Sequence, residues 1–520
     1  MTDVLALVNG KIRTMEGSLP ICEAIMIERG KITALGRSED IKRRFRGLGA
    51  EDAGMLLELG GRTVVPGFHD CHVHIMGTGL NSLGIDMYDC EDVAGAIEKL
   101  RAAPGSGWVF GKRLDESRLR EKRPPLMSEL DSAVPDRPVY IVDRGWHYTL
   151  VNSVAFAQFG LSANTPGVCL GDGGRPNGRL HEKANSIAKM SFFEQQDEKT
   201  RVSAFRHTAS LAASKGCTTI HCMEGGSLFS DSDIPVLLRV KDGLDTHVTL
   251  YWAIEDEKAV IGAGLPVWGG DITLDGAIGS RTAAFSAPYD DAPDTRGKLY
   301  YTDAQVRSLI RRALDSGLQI AFHAIGQKAI CQALACYESE LGGEGARYGQ
   351  LRIEHFGFPS QEDIGQAGRL GVVVSSQPSF TFLRGGPGTV YRSRLGEARE
   401  RGGYPHRRML DAGIAIGGGS DSDVTPIDPL LGMHAAVSPP YPENAVTPGE
   451  ALEMFTSHAA LIAGEHEYKG TLREGKLGDL TVLSDDPLTA PAASIKDISV
   501  CLTVKEGQVT YSSGDLKIKT

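Results

Sequence analysis

Short apolar runs alternate with longer amphipathic stretches through the middle of the chain. Three of these runs end in polar residues, and each follows a stretch with helical periodicity. The strand-like runs are 319–323, 351–355 and 414–421, and the helical stretches before them are 303–316, 328–341 and 401–412. This alternation is typical of a parallel sheet with crossover helices. In a parallel barrel the carboxyl ends of the strands converge on one face, so we expect the polar residues that end these runs to meet there.

The two ends of the chain have a different pattern. Residues 1–64 and 470–520 consist of short alternating runs, separated by turn residues such as Asn9-Gly10 and Arg29-Gly30. Neither end has enough predicted strands to form a β domain that is stable by itself.

A long segment also lies between His74 and the strand-like run 218–223. It is far longer than an ordinary connecting loop, and it contains its own strand-like run at 138–142 and a Gly/Pro-rich stretch at 165–178. We therefore predict an inserted subdomain at about residues 81–210, over the carboxyl ends of the barrel strands. Such a cap would exclude water and select substrate.

Candidate metal ligands stand where the apolar runs end. His72 and His74 are spaced i, i+2, so in a strand both side chains point to the same face, together with Asp70. Further along the chain His323, His355 and Asp421 each close a strand-like run. A single histidine is more often structural than a ligand, but four histidines and an aspartate at strand ends favour a metal site. Neutral imidazoles with a carboxylate suit zinc or a similar divalent ion.

These strand ends belong to longer motifs. The motifs are VPGFHDCHVH at 65–74, DGAIGSRTAA at 275–284, HAIG at 323–326, RIEH at 352–355, Ser420-Asp421, and PDRPV at 135–139 leading to His147 and Asn152. In this order they resemble the amidohydrolase superfamily of metal-dependent hydrolases, and within it the YtcJ-like branch (amidohydrolase type 3). The resemblance covers nearly the whole chain.

The resemblance implies an α/β fold with three parts. The first part is a (β/α)8 TIM-type barrel at 65–469. The second is the cap subdomain inserted into the barrel at about 81–210. The third is a small β-sandwich domain built from both termini, residues 1–64 plus 470–520.

The resemblance also implies roles for particular residues. The metal, most simply Zn, would be held by side chains at the strand ends, namely His72, His74, His323, His355, Asp421 and Asp271. Asp421 would be the general base that takes a proton from water, and His355 would either bind metal or polarise the substrate. His147, Asn152 and Arg281 would contact the substrate. The alternative for His147 is an ordinary surface histidine, and for Asn152 an ordinary asparagine in a turn. The alternative for Arg281 is a structural ion pair with an aspartate.

The chain departs from the family pattern at residue 271. The family usually has a carboxylated lysine there, which bridges two metal ions, whereas this chain has Asp271, and the nearest lysines are Lys258 and Lys298. If the strand register matches that of the family, a carboxylate on one methylene would stop several ångströms short of the midpoint between two metals, so we expect one strongly held ion. The alternative is two ions, bridged by Asp271 after an inward shift of the backbone or by Glu224 from the second barrel strand.

Composition restricts the partners and the location. The chain has 520 residues and a net charge of −11, which disfavours nucleic acid. The pattern of the first residues predicts no secretory signal, and no apolar run approaches the length of a membrane span. Nine cysteines without CxxC pairs predict reduced thiols and a cytoplasmic protein. We expect a small-molecule substrate and no nucleic-acid or membrane partner, and a homodimer stays open.

Three functions remain after these arguments. The leading hypothesis is hydrolysis of a C–N bond, in an amide, an N-formyl group or a related linkage, by water activated at a divalent metal. The second is deamination of an amino-heterocycle, which a one-metal site would favour. The third is a non-catalytic scaffold on the same fold, which would have no need for the full set of ligands.

Overall fold

The computed structural model describes residues 4–49, 54–143, 148–342, 347–516 and 518–519. Eight parallel strands form the barrel, and they pair as one three-stranded sheet and one five-stranded sheet. In chain order the barrel strands are β1 (Phe68–Val73), β2 (Cys217–Glu224), β3 (His247–Trp252), β4 (Val267–Thr273), β5 (Gln319–Ala324), β6 (Leu351–His355), β7 (Val373–Ser376) and β8 (Ile416–Gly418). Every residue of β1 and β2 is buried, as expected for strands that are covered on both faces. The predicted TIM-type barrel is confirmed.

The helices that belong with the barrel follow the sequence pattern closely where their caps are strong. Helix Asp303–Ser316 begins at a capping box formed by Thr302 and Gln305, and it ends at Gly317, whose φ is 69°. The α-helices of this part of the chain are Glu257–Gly262, Asp303–Ser316, Gln327–Leu341, Gln361–Arg369, Pro378–Arg384, Val390–Arg401, His406–Asp411, Pro429–Val437, Pro448–Met454 and Ser457–Ile462.

Two predicted elements differ from the structure. The helix expected at 401–412 is not continuous. Arg401 ends the helix Val390–Arg401, and a second helix, His406–Asp411, follows it. Tyr404 between them has a φ of 48°, and Pro405 has no N–H to continue a helix. The strand expected at 414–421 is confined to β8, because the chain leaves the sheet after Gly418.

The segment that follows β8 returns to β1 and closes the barrel. The backbone N–H of Asp421 donates to the carbonyl of His72 at 2.8 Å, and the N–H of His74 donates to the carbonyl of Ser422 at 2.8 Å. Asp70 Oδ1 accepts the N–H groups of Ser420 at 2.8 Å and His72 at 3.2 Å. Asp70 therefore ties the two chain segments together, and His72, His74 and Asp421 are placed side by side.

Strand β4 contains a bulge immediately before Asp271. Its register with β5 shifts between Gly269 and Ile272, and Gly269 and Gly270 have φ values of 94° and 81°. A Cβ on Gly269 would lie 2.2 Å from the carbonyl oxygen of Ala321, so only glycine fits this position. Gly269 pairs with Ala321 and Ile272 with Phe322, so two residues, Gly270 and Asp271, have no partner on β5. They displace the strand locally, as β-bulges do, and the bulge sets the position of Asp271.

Both termini contribute strands to two further sheets. One sheet contains Val4–Val8, Ala24–Glu28, Lys31–Gly36, Met55–Glu58 and Ile518–Lys519, and the other contains Lys11–Arg13, Ile21–Cys22, Thr63–Pro66, Leu480–Leu483, Val500–Lys505 and Gln508–Ser512. Buried side chains from both sheets, such as Leu7, Ile25, Val64 and Leu502, form one hydrophobic cluster. Helix Ser38–Gly47 packs Ile41 and Phe45 against the other side of the first sheet.

A second compact unit consists of residues 76–204 and 228–236. The insertion predicted at about 81–210 overlaps most of it. Its six-stranded sheet contains Ile85–Asp86, Val109–Leu114, Val139–Asp143, Thr149–Val151, Val168–Leu170 and Pro176–Leu180. Its helices are Val93–Arg101, Met127–Ala133, Ser153–Gln158 and Glu182–Glu194, and the helices Ile75–Leu83, Glu198–Ser214 and Asp233–Val240 each contain a unit boundary.

Within the described ranges, the helices are all too short or too polar to cross a membrane.

Candidate active site

The first half of the candidate site is formed by the end of β1 and the segment after β8. His74 Nε2 lies 3.0 Å from Asp421 Oδ1, and His72 Nε2 lies 3.5 Å from the same oxygen. Asp271 Oδ2 approaches from the β4 bulge and lies 3.5 Å from Nε2 of both His72 and His74. Four predicted ligands therefore surround one point.

The second half is formed by the ends of β5 and β6. His323 Nδ1 lies 3.0 Å from His355 Nε2 and 3.6 Å from Asp271 Oδ1. The two carboxylate oxygens of Asp271 thus face different groups of histidines. The expectation that Asp271 would stop several ångströms short is wrong, because the bulge at Gly269 and Gly270 carries its backbone to the site.

In two of the histidines, a backbone carbonyl determines which ring nitrogen carries the proton. His74 Nδ1 lies 3.0 Å from the carbonyl oxygen of Met223, and His323 Nε2 lies 3.3 Å from that of Gly276. A carbonyl oxygen can only accept, so these outer nitrogens donate. In the neutral imidazoles the inner nitrogens, His74 Nε2 and His323 Nδ1, then carry lone pairs that are directed at the carboxylates.

The other two histidines are held by side chains. His72 Nδ1 lies 2.9 Å from Glu354 Oε2, and His355 Nδ1 lies 2.6 Å from Gln377 Oε1. Both oxygens accept, so here too the outer nitrogen is the donor. All four imidazoles therefore have the arrangement of metal-binding histidines, which donate the outer N–H to a carboxylate or carbonyl and present the other nitrogen to the metal.

The donor set fits a divalent cation. In a tetrahedral zinc site with bonds of about 2.0–2.1 Å the ligand atoms are separated by about 3.3 Å, and the contacts here are 3.0–3.6 Å. His72 Nε2 and Asp271 Oδ1 are buried and have no hydrogen-bond partner among the described residues. His323 Nδ1 and His355 Nε2 face each other with lone pairs, an arrangement that a shared cation or proton makes favourable.

The electrostatics of the site also require positive charge beside the two carboxylates. Burial lowers the pKa of His74, but its hydrogen bond to Asp421 and the charge of Asp271 outweigh burial and raise the pKa to about 9. Burial opposes ionisation of Asp271, yet the charge on His72 keeps the pKa of Asp271 well below its usual range. The two buried carboxylates therefore demand positive charge, from protons on the histidines or from a bound metal ion.

A buried ion pair between Arg352 and Glu354 holds His72 through the outer nitrogen of its ring, Nδ1. The guanidinium of Arg352 donates to both oxygens of Glu354, at 2.5 and 3.0 Å, and also to Tyr251 Oη at 2.8 Å and the Cys71 carbonyl at 2.6 Å. Arg352 and Glu354 are both fully buried. With so many contacts the pair has little freedom to move, so Glu354 is held where it accepts the proton of His72.

The aspartate of the DGAIGSRTAA motif has a structural role. Asp275 Oδ2 accepts the N–H groups of Ala284 at 2.7 Å and Gly326 at 2.8 Å, and Oδ1 accepts that of Ile325 at 3.0 Å. Three backbone donors are thereby tied to one carboxylate. The motif joins the loop after β4 to the end of β5, where His323 is located.

The predicted substrate contacts have different outcomes. His147 lies outside the described residues. Asn152 is fully buried, and its amide group makes four hydrogen bonds. Its oxygen accepts two backbone N–H groups, and its nitrogen donates to two carbonyls. These bonds use the whole capacity of the amide, so we remove Asn152 from the substrate contacts.

Arg281 is paired within its own loop. Its Nε and Nη2 atoms donate to the two oxygens of Asp291, at 3.0 and 2.8 Å, and Arg394 pairs with the same carboxylate. This is the structural alternative considered for Arg281. Glu224 ends β2 and is buried, but it belongs to none of the metal-ligand clusters found among the described residues.

Three contributors to the site are not among the residues predicted from the sequence. They are Glu354, which lies within the RIEH motif, Gln377, and the glycine pair at 269–270. Two adjacent glycines in a strand-like run are a signal for a bulge. The contacts of Glu354 and Gln377 cross between strands, and they leave no local signal.

Comparisons with known proteins identify the family. The family model described as "Amidohydrolase family" matches residues 56–511, so the chain belongs to the amidohydrolase family. The protein YtcJ of Bacillus subtilis (strain 168) is 29% identical over 97% of this chain and 98% of its own length. The N-substituted formamide deformylase of Arthrobacter pascens is 28% identical over 98% of both chains.

A solved structure supports the same conclusion. The crystal structure of an uncharacterized metal-dependent hydrolase from Pyrococcus furiosus is 25% identical, with a TM-score of 0.81 over 94% of this chain and 100% of that chain. The predicted YtcJ-like family and the class of metal-dependent amidohydrolase are confirmed.

Proposed function

We propose that this protein hydrolyses a non-peptide C–N bond in a small molecule, with an amide or N-formyl group as the leading substrate class. The observation that carries the proposal is the convergence of four inward imidazole nitrogens and two carboxylates on one buried site. The deformylase named among the relatives acts on N-substituted formamides, which supports a C–N bond next to a carbonyl carbon.

The chemistry divides between the metal and the protein. A bound divalent ion polarises a carbonyl oxygen and lowers the pKa of water towards neutrality. Asp421 is the proposed general base, because its Oδ1 lies among the inward nitrogens, 3.0 Å from His74 Nε2. It would take the proton from the attacking water and deliver it to the leaving nitrogen. His72, His74, His323 and His355 would hold the metal.

We further propose two ions, in place of the single ion expected from the sequence. One group consists of His72, His74 and Asp421, and the other of His323 and His355, with Asp271 directed at both. Two neighbouring cations repel and need shared negative charge, and the two oxygens of Asp271 are placed to supply it. Zinc is the leading candidate because imidazole and carboxylate ligands suit it.

The two alternatives have weaker support. A one-metal site would favour deamination of an amino-heterocycle, and the two-ion site proposed here gives that alternative less support. A non-catalytic scaffold would not need buried ligand atoms such as His72 Nε2 and Asp271 Oδ1, because burying polar atoms without a partner lowers the free energy of unfolding. A cytoplasmic location and a homodimer remain predictions.

The test is a substrate panel with matched metal states. Purified protein, chelator-treated protein and reconstituted protein are assayed on N-formyl amines, simple amides and amino-heterocycles. We expect turnover of at least one C–N substrate, loss after chelation and recovery with Zn²⁺. His72→Ala, His74→Ala and His323→Ala should each lose metal and turnover. Release of ammonia from heterocycles alone would favour the deaminase.

A further inference from the structure

Gln377 is a buried polar residue beside His355 that takes no part in the proposed proton transfer. It directly follows β7 and precedes helix Pro378–Arg384. Its side chain is fully buried, and its Oε1 lies 2.6 Å from His355 Nδ1. Its Nε2 has no hydrogen-bond partner among the residues that the structure describes. Burying an amide nitrogen without a partner costs folding free energy.

His355 has a particular need for such a partner. Its Nε2 lies 3.0 Å from His323 Nδ1. If the proton of a neutral His355 were on Nε2, it would be donated to His323, and both nitrogens would be lost as metal ligands. A proton on Nδ1 leaves both lone pairs available. The oxygen of Gln377 stabilises this second tautomer, because an oxygen acceptor requires a donor at Nδ1.

The ring of His355 is also confined on its face. The ring of Phe380 lies nearly parallel to it, with 6.1 Å between centroids and 20° between planes. Phe380 is on the helix that begins just after Gln377. The same short segment therefore supplies both a hydrogen-bond acceptor and an aromatic neighbour to His355.

We propose that Gln377 is a positioning residue, which fixes the tautomer and orientation of His355 so that His355 and His323 together hold a divalent ion. The inference rests on the proposed metal site and extends it to a residue that does not itself bind metal. The neutral amide also leaves the charge of the site to Asp271 and Asp421.

The experiment compares three variants by their affinity for metal. Gln377→Leu removes the acceptor at similar volume, and Gln377→Glu keeps an acceptor oxygen. Gln332→Leu is the matched control: Gln332 is also buried, but its amide donates to Tyr301 and Asp303, away from the site. Metal dissociation constants are measured by competition with a chelator on folded protein, and the visible absorption spectrum of the Co²⁺-loaded protein is recorded.

We expect Gln377→Leu to weaken the affinity for at least one ion by about 10–100-fold and to change the Co²⁺ spectrum. Gln377→Glu should recover most of the affinity, and Gln332→Leu should keep it while losing thermal stability. Wild-type affinity and spectrum in Gln377→Leu would overturn the inference and leave the proposed function standing. Equal loss in Gln377→Leu and Gln332→Leu would also overturn it. A wild-type protein that binds no divalent ion would overturn the proposed function, and this inference with it.

Discussion

Replacing Gly269 by alanine should weaken metal binding at the site without any change to a ligand. Gly269 has a φ of 94°, and its added Cβ would lie 2.2 Å from the Ala321 carbonyl oxygen. That oxygen belongs to the β5 backbone and cannot rotate away. The β4 backbone must move instead, and Asp271 lies only two residues further along the strand.

The magnitude follows from two costs. A side chain at this φ costs about 1–3 kcal/mol. Ordinary contact begins at 3.4 Å, so relieving an approach of 2.2 Å requires a shift of about 1 Å. A misplacement of about 1 Å costs about 10²-fold in rate. We therefore expect Gly269→Ala to lower turnover by about 10²-fold and to weaken metal binding.

The assay is metal content by elemental analysis, together with turnover and the melting temperature. Gly264→Ala is the control, since Gly264 precedes the same strand with a φ of 70° and has open space around its Cβ position. The control should lose about 1–3 kcal/mol of stability, because its side chain has the same kind of φ strain, and it should keep its metal. If Gly269→Ala keeps full metal content and turnover, the bulge does not position Asp271, and this reasoning is wrong.

Two further predictions concern charged residues near the site. Glu354→Leu leaves Arg352 buried without its partner, so we expect about 3–5 kcal/mol of destabilisation in urea unfolding, together with weaker metal binding through His72. The double variant Arg352→Met, Glu354→Met should recover stability but not metal affinity, and recovery of both would contradict the support of His72 by Glu354. Arg281→Met breaks a partly exposed ion pair with Asp291, so the free energy of unfolding should change by about 1 kcal/mol or less. A tenfold rise in KM would instead show that Arg281 contacts the substrate.

The ligands could be predicted from the sequence because strand periodicity and strand ends determine where they lie. His72 and His74 share a face through simple alternation, and His323 and His355 end strands whose apolar runs are unmistakable. The reach of Asp271 could not be predicted by counting residues, since one bulge changes the register of everything that follows it.

Other errors arose because one residue type serves several purposes. The sequence motifs place Asn152 among the substrate contacts, but asparagine is also a favoured helix N-cap, and here it caps Ser153–Gln158. Gln377 cannot be found from the sequence, because its importance depends on a histidine from another strand. Contacts of this kind are determined by the closed barrel and have no periodic pattern in the chain.

The metal content of untreated protein tests the central claim most directly. We predict two divalent ions per chain in the wild type and at most one in Asp271→Ala, because Asp271 faces both groups of histidines. Asp271→Asn keeps one oxygen ligand and should fall between them. A wild type with a single ion that Asp271→Ala retains in full would contradict the bridging role, and it would restore the one-metal site expected from the sequence.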